Sequence, residues 1–105
     1  MSTDHCIIMT TVADDATEKA IIDALLSERL AACIQVLPMQ SWYRWKGEVC
    51  SEAERLLVIK TRNSLYAEVE STIVANHTYE TPEVLRVAVE DGLPAYLNWI
   101  DKEVR

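Results

Sequence analysis

The sequence predicts an α+β fold, a ferredoxin-like β-α-β-β-α-β sandwich with a long hairpin between its second and third strands and an extra helix at the C-terminus. Three observations predict it. Four apolar runs of strand length alternate with two segments of helical periodicity, in that order. An aromatic segment, Ser41–Trp45, runs into Lys46-Gly47, which reads as the tight turn of the hairpin. The 105 residues, 50% of them hydrophobic, fit one domain over 1–105 and no more. A chain of this size buries about 60–68% of its unfolded surface, so it holds a core without disulfides or a structural metal.

The first strand is expected from His5 to Thr11, around the apolar run Cys6-Ile7-Ile8-Met9. Asp14 or Asp15 then offers a helix N-cap, and Glu18 completes a capping-box pattern with Asp15. Ala16, Ala20, Ala24, Ile21 and Leu25 recur at helical spacing to about Arg29. The second strand is expected from Ala31 through Leu37, with Pro38 marking a break or bulge because proline cannot donate to a ladder. Gly47 takes the positive φ of the hairpin turn, and the third strand returns from Glu48 to Arg62. Asn63-Ser64 is expected to cap a second helix whose buried side carries Leu65, Val69 and Ile73. His77 to Pro82 is irregular, since Pro82 holds Thr81 extended. Val84–Val89 forms the fourth strand, Gly92 ends it, and Pro94 opens a short helix with Tyr96, Leu97 and Ile100 on its apolar side.

Right-handed crossovers put both main helices on one face of such a sheet. The other face should then alternate polar residues with apolar ones. It does not: Ile7-Ile8-Met9 and Leu56–Ile59 are apolar on both sides. Self-association is the economical cover for that face.

Composition narrows the function. A net charge of −7 argues against nucleic acid, which needs clustered Lys and Arg. No run approaches the ~18–20 apolar residues of a membrane span, and Met1–His5 lacks the pattern of a secretory leader. Three widely spaced cysteines, Cys6, Cys33 and Cys50, make a poor disulfide framework. A cytoplasmic protein is expected, without membrane partners.

The most site-like stretch is His77-Thr78-Tyr79-Glu80-Thr81-Pro82-Glu83, where an imidazole, a phenol and carboxylates follow a helix C-terminus. Imidazole and carboxylate are ordinary ligands of divalent cations. They serve equally in bland roles, His77 capping helix carbonyls, Tyr79 packing in an interface and the glutamates solvated. Cys33 sits in an apolar strand, where a free thiol behaves as a small hydrophobe. Strand alternation sends Tyr43 and Trp45 one way and Trp42 the other, so these rings suit packing against a neighbouring subunit. Glu54 and Lys60 share one face of the third strand and could act as an acid/base or ion pair. No Gly-rich phosphate loop and no Ser-His-Asp arrangement is present, so neither an enzyme nor an organic cofactor is expected.

Taken in order, several strings resemble the CutA divalent-cation tolerance family. They are Glu28-Arg29-Leu30-Ala31-Ala32-Cys33, then Pro38, then Ser41-x-Tyr43-x-Trp45-x-Gly47, then Glu54 ahead of Ile59-Lys60-Thr61. His77-x-Tyr79-x-x-Pro82-Glu83 and Tyr96-Leu97-x-Trp99-Ile100 complete the set. The resemblance implies a homotrimer, similar in architecture to the PII signalling proteins, with the hairpin reaching between subunits. It also implies a role in tolerance of copper and other divalent metals, with His77 as the retained ligand position. The implied cysteine of the first strand is Thr10 here, the first histidine is Asn76, and Thr78 replaces a proline. Hydroxyl and amide are poor copper ligands beside thiolate and imidazole, so weak binding of copper or another divalent cation is expected. The alternative is a PII-like sensor or scaffold. Its intersubunit cleft, built from Tyr43, Glu54, Lys60, His77 and Tyr79, would bind a small anion or a partner protein.

Overall fold

A computed structural model describes residues 3–105. Met1 and Ser2, part of the segment read for a leader, lie outside the described residues. The elements run β1 (His5–Val12), α1 (Asp15–Ser27), β2 (Cys33–Trp45), β3 (Glu48–Arg62), α2 (Tyr66–Asn76), β4 (Leu85–Ala88) and α3 (Pro94–Glu103). The strands form one antiparallel sheet in the order β2-β3-β1-β4. This is the expected ferredoxin-like topology. None of the helices described is long and apolar enough to cross a membrane.

Local chemistry explains where each element begins and ends, and it corrects several expected boundaries. Asp14, not Asp15, caps α1: its carboxylate accepts from the Thr17 backbone N–H at 2.7 Å and from the Thr17 hydroxyl at 3.0 Å. Glu18 therefore closes no capping box and instead pairs with Arg55 of β3 at 2.7 Å. The buried stripe of α1 is Thr17, Ile21 and Leu25, four apart, with Ala20 and Ala24 half-buried beside it and Ala16 exposed. The helix stops before Arg29, which takes a left-handed φ of 55°. From there its guanidinium donates to the Glu103 and Lys102 carbonyls that end α3.

Pro38 neither breaks nor bulges β2, because register with β3 runs unbroken from Cys33↔Lys60 through Pro38↔Arg55 to Trp45↔Glu48. As an edge strand, β2 tolerates a residue with no N–H. Lys46 and Gly47, with φ of 51° and 82°, form the two-residue turn, where two left-handed residues match the strand twist. Asn63 does not cap α2. It opens a 3₁₀ turn, Asn63–Leu65, and its side chain donates to the Thr3 carbonyl and accepts from Arg86. β4 is shorter than expected, beginning at Leu85.

The core lies between the sheet and the paired α1 and α2. Cys6, Ile8 and Val12 of β1 and Leu57 and Ile59 of β3 meet Ile21, Leu25, Val69 and Ile73 of the helices, all of them buried. Their sequence neighbours point to the opposite face. There α3 covers one end, with Asp101 on His5 and Arg62 and the Tyr96 ring under the Lys60 ammonium. The rest of that face is apolar and uncovered by the described residues: Met9, Leu56 and Val58 are half-buried, and Leu37 and Leu85 are about half exposed. Beyond the pair Pro38↔Arg55 no third strand among the described residues flanks β2 and β3. The hairpin thus continues as a two-stranded arm roughly 20 Å long at ~3.3 Å per residue.

Candidate functional site

An open cleft of about 760 Å³ lies where the arm leaves the body. Thr11, at the end of β1, forms its floor. Met39, Tyr43, Cys50, Glu52 and Glu54 of the arm line one side, and Tyr79, Glu80 and Glu83 of the segment after α2 line the other. The turn at Lys46-Gly47 fixes this arrangement, because its register sets Tyr43 opposite Cys50, Ser41 opposite Glu52 and Met39 opposite Glu54. Alternation then brings Cys50, Glu52 and Glu54 to one face.

His77 shapes the opposite wall. Its backbone N–H donates to the Val74 carbonyl and closes α2. The ring nitrogens have separate tasks: Nε2–H donates to the Thr11 carbonyl at 2.7 Å, and Nδ1 accepts from the Tyr79 backbone N–H at 3.1 Å. The ring also packs against Tyr79 with centroids 4.5 Å apart. So held, Tyr79 donates its hydroxyl to Glu54 at 2.7 Å. Across the arm the Tyr43 hydroxyl donates to Glu52.

These contacts set the electrostatics. Burial, and then the bond to Glu54, push the Tyr79 phenol well above its ordinary value. The bond to Glu52, with some desolvation, raises Tyr43 to about 12. Both phenols therefore stay protonated and serve as donors. Burial, and then the charge of Glu54, push the Glu83 carboxyl up. Desolvated like charges raise carboxyl pKa values in this way. Among the described residues no lysine or arginine lines the cleft.

The structure separates some residues that the sequence grouped together. Tyr43, Glu54, Tyr79 and Glu83 share the cleft, with His77 behind them. Lys60 does not: six residues along an extended strand is roughly 20 Å, and its ammonium stacks on Tyr96 instead. Glu54 and Lys60 are thus no ion pair, and the cleft offers an anion no cation. Cys33 pairs in register with Lys60, away from the cleft, and is half-buried. Trp45 lies at the arm's tip on the cleft side, 40% exposed, with the Lys46 ammonium 5.7 Å from its ring centroid. Glu52, Met39 and Thr11 escaped sequence reasoning, although counting back from the Lys46-Gly47 turn pairs Glu52 and Glu54 with Ser41 and Met39.

The ligand set implied for copper does not converge. Thr10 is fully buried on the helix side of the sheet, so it points away from Thr11 and the cleft. Asn76 turns back to donate to the Thr72 carbonyl at 2.9 Å. Both ring nitrogens of His77 are committed to backbone partners. His77 as placed does not fit the role of a resident copper ligand. Among the described residues no three His, Cys, Asp or Glu side chains come together as a group able to hold a metal ion.

Comparison with known proteins adds a family. A model described as CutA1 divalent ion tolerance protein matches residues 6–103. "Protein CutA 1, chloroplastic" of Oryza sativa subsp. japonica is 37% identical over 100 residues, 94% of this chain and 56% of that protein. The chain thus spans about half the length of this curated plant relative. The divalent-cation tolerance protein CutA of Archaeoglobus fulgidus is 34% identical over 100 residues, covering 95% of this chain and 98% of its own. A crystal structure of CutA from the bacterium Xylella fastidiosa superposes with a TM-score of 0.93 at 38% identity, covering 98% of this chain and 100% of that one.

Proposed function

Since the chain belongs to the CutA1 divalent ion tolerance family, we propose that it acts as a cytoplasmic homotrimer in the response to divalent cations, with the acidic cleft under the arm as its cation-binding site. The observation that carries this reading is the crowding of Glu52, Glu54, Glu80 and Glu83 into one cleft with no lysine or arginine among the described lining residues. Glu83 feels the charge of Glu54, and a cation between them relieves that repulsion. Carboxylate oxygens suit divalent ions, and the lack of a ready-made chelate favours weak binding, with Kd on the order of 10–100 μM, roughly 5.5–7 kcal/mol. Copper should exceed zinc, following the general order for such ligands. The uncovered apolar face and the projecting arm support self-association, and three free cysteines agree with a reducing compartment.

Copper calorimetry on the wild type, Glu54→Gln and His77→Ala tests the site. Loss of most binding in Glu54→Gln, with binding retained in His77→Ala, is the expected result. Nanomolar affinity that survives Glu54→Gln would contradict it. A second reading, a sensor or scaffold that takes a small molecule, is favoured by the size of the cleft. Its 760 Å³ falls within the ~300–1,000 Å³ usual for such sites.

A further inference from the structure

Two restraints meet at the root of the arm. Glu54 and Arg55 are consecutive on β3, so their side chains leave opposite faces of the sheet. Arg55 turns to the helix side and pairs with Asp15 and Glu18 of α1 at 2.9 and 2.7 Å. Glu54 turns to the other side and accepts from the Tyr79 hydroxyl at 2.7 Å. No third strand among the described residues flanks the arm beyond this point, so these contacts brace it where it leaves the sheet.

The Arg55 restraint joins groups that stay charged through the neutral range. The Glu54 restraint depends on a titratable ring. A carbonyl can only accept and a backbone N–H can only donate. The bonds of His77 to the Thr11 carbonyl and the Tyr79 N–H therefore require a hydrogen on Nε2 and none on Nδ1. An imidazolium carries a hydrogen on both nitrogens and accepts nothing. On protonation the Tyr79 N–H loses its acceptor and meets a second donor.

The surroundings offer the charged ring another place to turn. β1 and the last turn of α2 bring it no ionisable side chain, since Met9–Val12 and Ile73–Asn76 are all neutral. At the start of α1, Asp14 is taken by Thr17, and Asp15 and Glu18 by Arg55. On the cleft side stand Glu52 and Glu54 of β3 and Glu80 and Glu83 of its own segment, with no lysine or arginine among the described lining residues. The phenols of Tyr43 and Tyr79 stay neutral beside them. An imidazolium is drawn toward those carboxylates and away from the Tyr79 N–H.

We propose that His77 is a pH-operated latch on the arm: the neutral ring holds Tyr79 against Glu54, and protonation frees Tyr79 and leaves the root of the arm restrained on the Arg55 side alone. The latch goes beyond the reading of the cleft as a cation site and does not depend on it, because every group in it belongs to this chain.

The test is a metal-free titration of the intact protein, followed in two-dimensional ¹⁵N spectra from about pH 8 to about pH 5, the span in which imidazole ordinarily changes charge. The Tyr79 and Glu54 amides should shift on one curve with the ring protons of His77. The hydrogen-exchange protection factor of the Tyr79 amide should fall about tenfold or more at the acid end. His77→Gln, whose side-chain amide donates and accepts without titrating, should abolish both changes. His5→Gln, which removes the other histidine, and Glu83→Gln should leave them in place. Should His77→Gln fail to fold by circular dichroism, the midpoints of the His77 ring and the Tyr79 amide in the wild type decide, and separate midpoints would overturn the proposal. So would a ring that stays neutral to the end of the titration, a shift with no loss of protection, or a transition that survives in His77→Gln. Copper calorimetry tests the cation reading on its own, so each can fail without the other.

Discussion

Replacing His77 by alanine should cost stability rather than metal affinity. The side chain makes two hydrogen bonds to the main chain, donating to the Thr11 carbonyl at 2.7 Å and accepting from the Tyr79 N–H at 3.1 Å. Thr11 is buried, so removal of the ring takes the donor from a carbonyl on a buried residue. An orphaned buried polar group costs about 1–3 kcal/mol. The Tyr79 amide belongs to a half-buried residue that water reaches, and its loss falls at the low end of that range. The sum is roughly 2–3 kcal/mol, which for a domain near 100 residues lowers Tm by ~10–20 °C. Thermal denaturation by circular dichroism, at one protomer concentration because assembly shifts Tm by mass action, reads the effect. The Tyr79–Glu54 bond should loosen as well, since His77 sets the loop that carries Tyr79. An unchanged Tm together with lost copper binding would refute the reasoning and make His77 a ligand.

Leu37→Asp places a charge in the uncovered apolar face, where Leu37 is 51% exposed. If the proposed trimer forms through this face, the variant should sediment as a monomer at micromolar concentration where the wild type sediments as a trimer, and a variant that assembles like the wild type would place the interface elsewhere. Glu83→Gln should raise Tm at neutral pH. The folded-state pKa of Glu83 is raised, so its ionisation opposes folding above the unfolded value of ~4.3. The gain should vanish as pH falls below that value, and a gain independent of pH would be contrary to this account. Asp14→Ala should lower Tm through loss of the α1 cap. The folded pKa of Asp14 is lowered, first by the Thr17 backbone N–H. Its contribution is therefore present above the unfolded value of ~3.9 and fades as pH falls through the folded one. A pH scan of wild type against variant checks this.

Element order was legible because burial imposes periodicity. Ile21 and Leu25, or Leu65, Val69 and Ile73, repeat at helical spacing only because a sheet lies beneath them. Boundaries were less legible where side chain and backbone compete. Asp14 and Asp15 look alike in sequence, and only the bond to Thr17 separates them. Arg29 ends α1 in a left-handed conformation with no glycine to announce it, held by contacts to a helix more than 70 residues away. Pro38 was misread because edge position is a property of the whole sheet. The cleft was half legible. Tyr79 and Glu83 stand close in sequence to His77, whereas Glu52 joins them only through hairpin register. Lys60 was misplaced because a shared face says nothing about distance along a strand.

Manganese titration followed by amide line broadening in two-dimensional ¹⁵N spectra of the protein tests the cleft most directly. Paramagnetic broadening should start at Thr11, Glu52, Glu54, Tyr79 and Glu83 and spread outward from there. Broadening that starts at His5 and Cys6, or that spreads evenly over the surface carboxylates, would contradict a cation site at the base of the arm.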